Sequence, residues 1–223
     1  MHNRIKNKLS CYLILSIVST LPLAVTAADS NKTYFSAGMM NWTSKSLNEL
    51  QVTGVTIDDS AIVTNFTVGL PFSQYSNLYL EGGIISSGEV SASVSDGTSG
   101  TINGKAYTVN AVATVKAKTD NTYMIGLKYS GGSGPLSINI KAGQLFWDID
   151  YTADINGTIT YDGTAYSVST SLDIESKDGS DPYFGFGMSY ALSNNSSLDF
   201  DYISSEIHDD SMSGYSLSWV RKF

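Results

Sequence analysis

The sequence predicts an all-β fold, an eight-stranded antiparallel up-and-down barrel that crosses a membrane, and three observations carry that expectation. The chain is rich in strand and turn formers, with 14 tyrosines and 20 glycines among 223 residues. From residue 62 onward its segments alternate between apolar and polar side chains, the period of two that marks a strand with one apolar face. The links between these segments are alternately short and long, which is the turn and loop asymmetry of barrels embedded in an outer membrane. A mean hydropathy of −0.04 excludes a helical membrane bundle. It leaves a barrel open, because every second strand residue faces the interior.

The first segment is predicted to be removed. Arg4, Lys6 and Lys8 precede an apolar run from Tyr12 to Val25, which closes on the small-residue site Val25-Thr26-Ala27. This is the three-part pattern of a secretory signal peptide over residues 1–27. A membrane anchor is the alternative, but Ser16, Ser19, Thr20 and Pro22 interrupt the run. Residues 28–223 then form one domain, the barrel with extended extracellular hairpins. Cleavage takes away three of 13 basic residues and none of 21 acidic ones, so the net charge falls from −8 to −11. Cys11 and His2 leave as well, which excludes thiol catalysis and cysteine metal sites in the remainder. Such acidity also excludes nucleic acid as a partner, since phosphate binding needs a basic surface.

The strands follow in order. The first runs from Thr33 to about Trp42. Phe66-Thr-Val-Gly-Leu-Pro-Phe72, Tyr123-Met-Ile-Gly-Leu-Lys-Tyr129 and Phe184-Gly-Phe-Gly-Met-Ser-Tyr190 share an aromatic residue, an apolar one two later, and then glycine. Tyr215-Ser-Leu-Ser-Trp219 repeats the pattern with serine in the glycine position. A short polar turn follows each of the first three, and strands beginning Leu78, Leu136 and Leu198 depart from those turns. The even total closes the sheet, leaving no free edge in lipid. A soluble β-sandwich would show the same alternation. Against it stand Tyr123, Tyr129, Tyr190, Tyr202 and Tyr215 near the ends of the apolar faces, where amphipathic rings favour a membrane interface.

The long links contain strand signals of their own. Gly100–Val109 and Gly157–Val168 resemble each other, and each sets a tight-turn dipeptide, Asn103-Gly104 or Asp162-Gly163, between alternating residues. Both dipeptides tolerate the positive φ of two-residue hairpin turns, so paired ribbons are predicted to continue past the membrane. The resulting collar is the candidate binding or shielding surface, with unconstrained surface loops as the alternative.

The same phase turns Glu81, Lys128, Lys141, Asp199 and Asp201 into the lumen as a charge network. Mutual neutralisation is the favoured role in so narrow an interior, and an ion pathway is the other. His208, beside Asp209 and Asp210, is the sole candidate catalyst. No nucleophile motif accompanies it, so no enzyme activity is expected. The acidic loop positions, among them Asp58, Asp59, Asp148, Asp150, Asp154, Asp178 and Asp181, lack calcium-loop spacing, so neither a metal nor another cofactor is expected.

Residues Tyr183 to Tyr202 resemble the penultimate hairpin of the OmpA/OmpX-like outer-membrane barrels. The terminal Gly214-Tyr-Ser-Leu-Ser-Trp-Val-Arg-Lys-Phe223 looks like the C-terminal assembly signal of that family, carried by Tyr215, Leu217, Trp219 and Phe223, with Arg221 standing where an apolar residue is usual. The resemblance implies a monomer in the outer membrane of a Gram-negative cell, in contact with lipid and lipopolysaccharide. Its terminal strand would be read by the barrel-assembly machinery, and no peptidoglycan-binding domain would be attached. A structural or surface-interaction role, with an extracellular ligand as candidate partner, is the function expected. A narrow small-solute or ion channel comes second and a lipid-modifying enzyme third.

Overall fold

A computed structural model describes residues 32–49, 53–72, 77–133, 135–207 and 210–223. The predicted signal peptide, Cys11 and His208 lie outside the described residues. Within them the chain forms eleven antiparallel strands in one sheet. In chain order these are β1 (Tyr34–Ser44), β2 (Val55–Asp58), β3 (Ser60–Pro71), β4 (Leu78–Ile85), β5 (Gly88–Ile102) and β6 (Lys105–Thr119), then β7 (Thr122–Ser133), β8 (Leu136–Tyr161), β9 (Thr164–Ser193), β10 (Ser196–Ile207) and β11 (Asp210–Lys222). One short helix, α1 (Lys45–Glu49), follows β1.

Eight of the strands pair in a closed cycle, β8-β7-β4-β3-β1-β11-β10-β9, with β9 returning to β8. The register is continuous across the seam, where Tyr34 opposes Lys222 and Ser44 opposes Met212. At one end the links are short, as between Ser193 and Ser196. At the other, β8 and β9 run on beyond the ring to Tyr161 and Thr164, and β6 pairs with the extension of β8 from Thr119–Ile149 to Tyr107–Tyr161. Strands β2, β5 and β6 therefore add to the eight expected ones. They build a protruding sheet in the order β2-β5-β6-β8-β9. The hairpins close where the sequence allows it: Asn103 and Gly104 take φ of 54° and 76°, and Asp162 and Gly163 take 49° and 78°. Side chains with a Cβ rarely hold that region, and asparagine, aspartate and glycine hold it best.

The ring presents its apolar face outward. Ile62, Phe66, Ile138, Ile140, Phe184, Phe186, Leu217 and Trp219 are all exposed. Aromatic rings meet at tilted angles across β9, β10 and β11 on this outer face, with Phe186–Tyr202 at 5.3 Å and Tyr202–Tyr215 at 5.1 Å between centroids. On the inner face large aromatics alternate with glycine across neighbouring strands. Trp42 opposes Gly214, and Trp147 opposes Gly179. Tyr183, fully buried, lies across the paired Gly126 and Gly143, where an added Cβ would stand 2.4 Å from its hydroxyl and 2.2 Å from the Ile125 carbonyl, respectively. The repeated glycine of the sequence motif follows the same rule, since an added Cβ at Gly69, Gly126 or Gly187 would meet Tyr34, Tyr183 or Asp201. It sits at an inward position that a neighbouring side chain must cross.

Candidate functional site

The interior of the ring is built in two tiers. Toward the short-link end it is polar, because β4, β7, β8 and β10 turn Glu81, Lys128, Asn139, Lys141, Asp199 and Asp201 inward. Lys128 Nζ lies 2.8 Å from Asp199 Oδ2, and Lys141 Nζ lies 2.8 Å from Asp201 Oδ2 and 3.7 Å from Glu81 Oε1. All five side chains are buried. The structure thus brings together Glu81, Lys128, Lys141, Asp199 and Asp201. It adds partners that the sequence did not flag. Asn139, fully buried, donates from Nδ2 to Ser189 Oγ at 2.8 Å and reaches both Asp199 and Asp201 at 3.4 Å. The Tyr34 hydroxyl donates to Glu81, while the Lys128 ammonium stands 4.9 Å from the centroid of the Tyr34 ring. Alternation places Asn139 in phase with Lys141, but which residues of distant strands it and Tyr34 meet is not written in the spacing.

Toward the ribbon end the interior is apolar. Met40, Trp42, Met124, Leu145, Trp147 and Tyr183 form the centre of one buried cluster. The predicted charge network thus fills only the short-link half of the lumen, and apolar side chains dominate the other half. Leu145, Trp147 and Ile149 keep the inward phase of Lys141 but lie beyond the stretch of β8 in which polar inward residues alternate with apolar outward ones. The plug is fixed by a hydrogen bond from Trp147 Nε1 to Asp181 Oδ2 at 2.7 Å. The polar tier encloses a cavity of about 40 Å³, lined by Tyr34, Lys128, Ser189 and Asp199 among others, which has room for about one water.

The acidic positions of the long links serve local hydrogen bonding. Asp154 accepts from Ser171 Oγ at 2.6 Å and pairs with Lys116 at 3.2 Å, while Asp150 accepts from Ser176 and Asp210 from Ser44. Among the described residues no group of three or more acidic, histidine or cysteine side chains is placed to hold a metal ion. Tyr215, Leu217 and Trp219, predicted to form an assembly signal with Phe223, project from the outer face of β11, and Phe223 follows its last residue, exposed, with its backbone N–H bonded to the Thr33 carbonyl at 2.9 Å.

No family model matches the sequence, and no curated protein matches it. Solved structures do. The outer-membrane protein OprG from Pseudomonas aeruginosa superposes with a TM-score of 0.50 at 11% identity, covering 87% of this chain and 96% of that one. The fold is that of the small outer-membrane β-barrels. Ail, the attachment invasion locus protein of Yersinia pestis, gives a TM-score of 0.48 at 11% identity over 87% of this chain and 99% of its own. The N-terminal barrel domain of Pseudomonas aeruginosa OprF gives 0.43 at 10% identity over 86% and 99%. The OmpA/OmpX-like resemblance read from residues 183–202 and 214–223 is therefore matched at the level of the barrel fold.

Proposed function

We propose that the chain is an integral barrel of the bacterial cell outer membrane, exported by way of residues 1–27, whose eight-stranded ring spans the bilayer. Its proposed role is structural and surface-interacting, with the protruding sheet outside the cell. The carrying observation is the inversion of polarity around the ring, with exposed Phe184, Ile138 and Leu217 outside and the paired Lys141 and Asp201 inside. Water would penalise such an exterior, whereas hydrocarbon accepts it and demands a sheet without edges. The polarity of β8 supports a boundary for the bilayer. Its outward residues are Leu136, Ile138, Ile140, Ala142, Gln144 and Phe146 up to the ring's rim, without a charge, then Asp148, Asp150, Thr152 and Asp154. On this reading lipid and lipopolysaccharide are the surroundings, the barrel-assembly machinery reads the terminal strand, and no reaction is assigned to the chain.

The apolar plug supports a non-conducting interior, because Trp42, Leu145 and Trp147 close the path above the charge network. The deciding experiment is a refolding test in detergent followed by insertion into planar bilayers. A heat-modifiable gel shift without stepwise current is the expected result. Steady single-channel currents would favour the channel reading, and a purified chain that stays soluble without detergent would overturn the barrel.

A further inference from the structure

The two faces of the protruding sheet differ in chemistry. Paired residues across its strands share a face. One face carries Ser93, Thr114, Lys116, Asp154 and Ser171, joined by hydrogen bonds and ion pairs. The other carries Val94, Ala113, Val115, Ile155, Val168 and Leu172. Val94, Val115, Ile155 and Leu172 are 44%, 49%, 39% and 56% exposed, so no described residue covers them. The apolar face is the upward continuation of the barrel interior, since Ala117 and Tyr151 at its base pack against the Trp42–Trp147 cluster. It therefore stands above the membrane and turns away from the lipid side.

We propose that this face recognises a second copy of the same chain standing in an opposed membrane; the proposal rests on the barrel reading above. Three observations select that partner. The first is size. The 13 residue pairs between β6 and β8 make the face about 40 Å tall, and strands β5, β6, β8 and β9 make it about 19 Å wide. Two such faces would remove about 1,400 Å² from water, within the range of a stable standard interface. The second is charge. The chain is acidic, yet Asp150, Asp154 and Asp173 all fall on the other face, and among the described paired residues Asp96 is the only acid on this one above Glu175 at the base. Self-contact thus avoids the repulsion that net charge would otherwise impose.

The third is geometry. Stacked sheets lie about 10 Å apart. Because this face looks over its own ring, a copy inserted in the same membrane would need its ring in the space this one occupies. A copy inverted from a facing membrane keeps the rings apart and lets only the two sheets overlap, so the contact would join cells.

The test uses the full mature chain in phosphatidylcholine vesicles, with clumping followed by light scattering. Vesicles carrying the protein should clump. The double substitution Val115→Glu, Ile155→Glu should slow clumping at least about tenfold, since each copy would bring unpaired charge into the contact. The matching Val115→Lys, Ile155→Lys protein should fail alone and clump when mixed with the glutamate form. A heat-modifiable gel shift on every sample separates loss of the contact from loss of the barrel. With the shift intact, wild-type vesicles that stay dispersed, a glutamate form that clumps unchanged, or protein-bearing vesicles that clump with protein-free ones would each overturn the proposal, the last by making lipid the occupant. An absent shift would count against the barrel reading itself.

Discussion

The molecule uses the same lysine–aspartate pair in two settings. In the ring interior Lys141 and Asp201 meet at 2.8 Å with side chains 9% and 3% exposed; in the protruding sheet Lys116 and Asp154 meet at 3.2 Å with side chains 33% and 24% exposed. The chemistry is identical and the consequence is opposite. Buried charges cannot fall back on water, so each depends on its partner and on Asn139, which bridges the two ion pairs. Pairs facing solvent cost little to separate and are screened by salt. The interior network is therefore a framework, while the outer pairs adjust a sheet held by its backbone ladder.

Breaking the inner pair should have the largest effect. Lys141→Met leaves Asp201 and Glu81 without their cation and should destabilise the barrel by about 3–5 kcal/mol, read as a lowered midpoint of the heat-modifiable transition in detergent. Adding Asp201→Asn and Glu81→Gln to that variant should recover most of the loss. A single substitution that leaves the midpoint unchanged would remove the framework role.

A smaller effect is expected where the aromatic tier meets its glycine. Gly143→Ala places a methyl 2.2 Å from the Ile125 carbonyl and 2.7 Å from the Tyr183 ring, so the wall or the ring must shift. Overpacking of this kind costs about 1–3 kcal/mol. The same unfolding assay reads it, and Tyr183→Leu should relieve the ring contact but not the carbonyl one, giving partial recovery.

The outer pair should respond mainly to pH. Hydrogen bonds from Ser171 and then Lys116 hold the Asp154 carboxyl below its usual range, and the hydrogen bond to Asp154, with Glu89 nearby, raises Lys116. A depressed carboxyl gives its stabilisation above the ordinary carboxylate range and loses it as pH falls through the folded value. A raised amine gives its stabilisation below the ordinary lysine range and loses it as pH rises through the folded value. Amide exchange at Lys116 and Ser171, corrected for intrinsic rates, should therefore be slowest between those limits and quicken on both sides. Asp154→Asn should flatten the acid side and leave the barrel's midpoint in place.

Much of this was legible in the residue order. The eight ring strands, the inward phase of Glu81, Lys128, Lys141, Asp199 and Asp201, and the two hairpin turns follow from period-two alternation and from the φ that Asn103-Gly104 and Asp162-Gly163 tolerate. These are local rules, and a one-residue error in phase would have turned every lumen charge into lipid. The pairing partners were not legible. Alternation says which way Lys141 points but not that Asp201, 60 residues on, stands 2.8 Å away. Nor does it say that β5 and β6 add to the extension of β8, which creates the apolar face of the protruding sheet.

The sequence by itself thus determined where the ring strands lie along the chain, their side-chain phase and the geometry of two turns, since each depends on neighbours one to three residues apart. Only the tertiary structure decided the two-tier interior and the sidedness of the protruding sheet. Both arise where strands distant in the chain are set side by side, so that Trp147 covers Gly179 and Val115 stands beside Ala92.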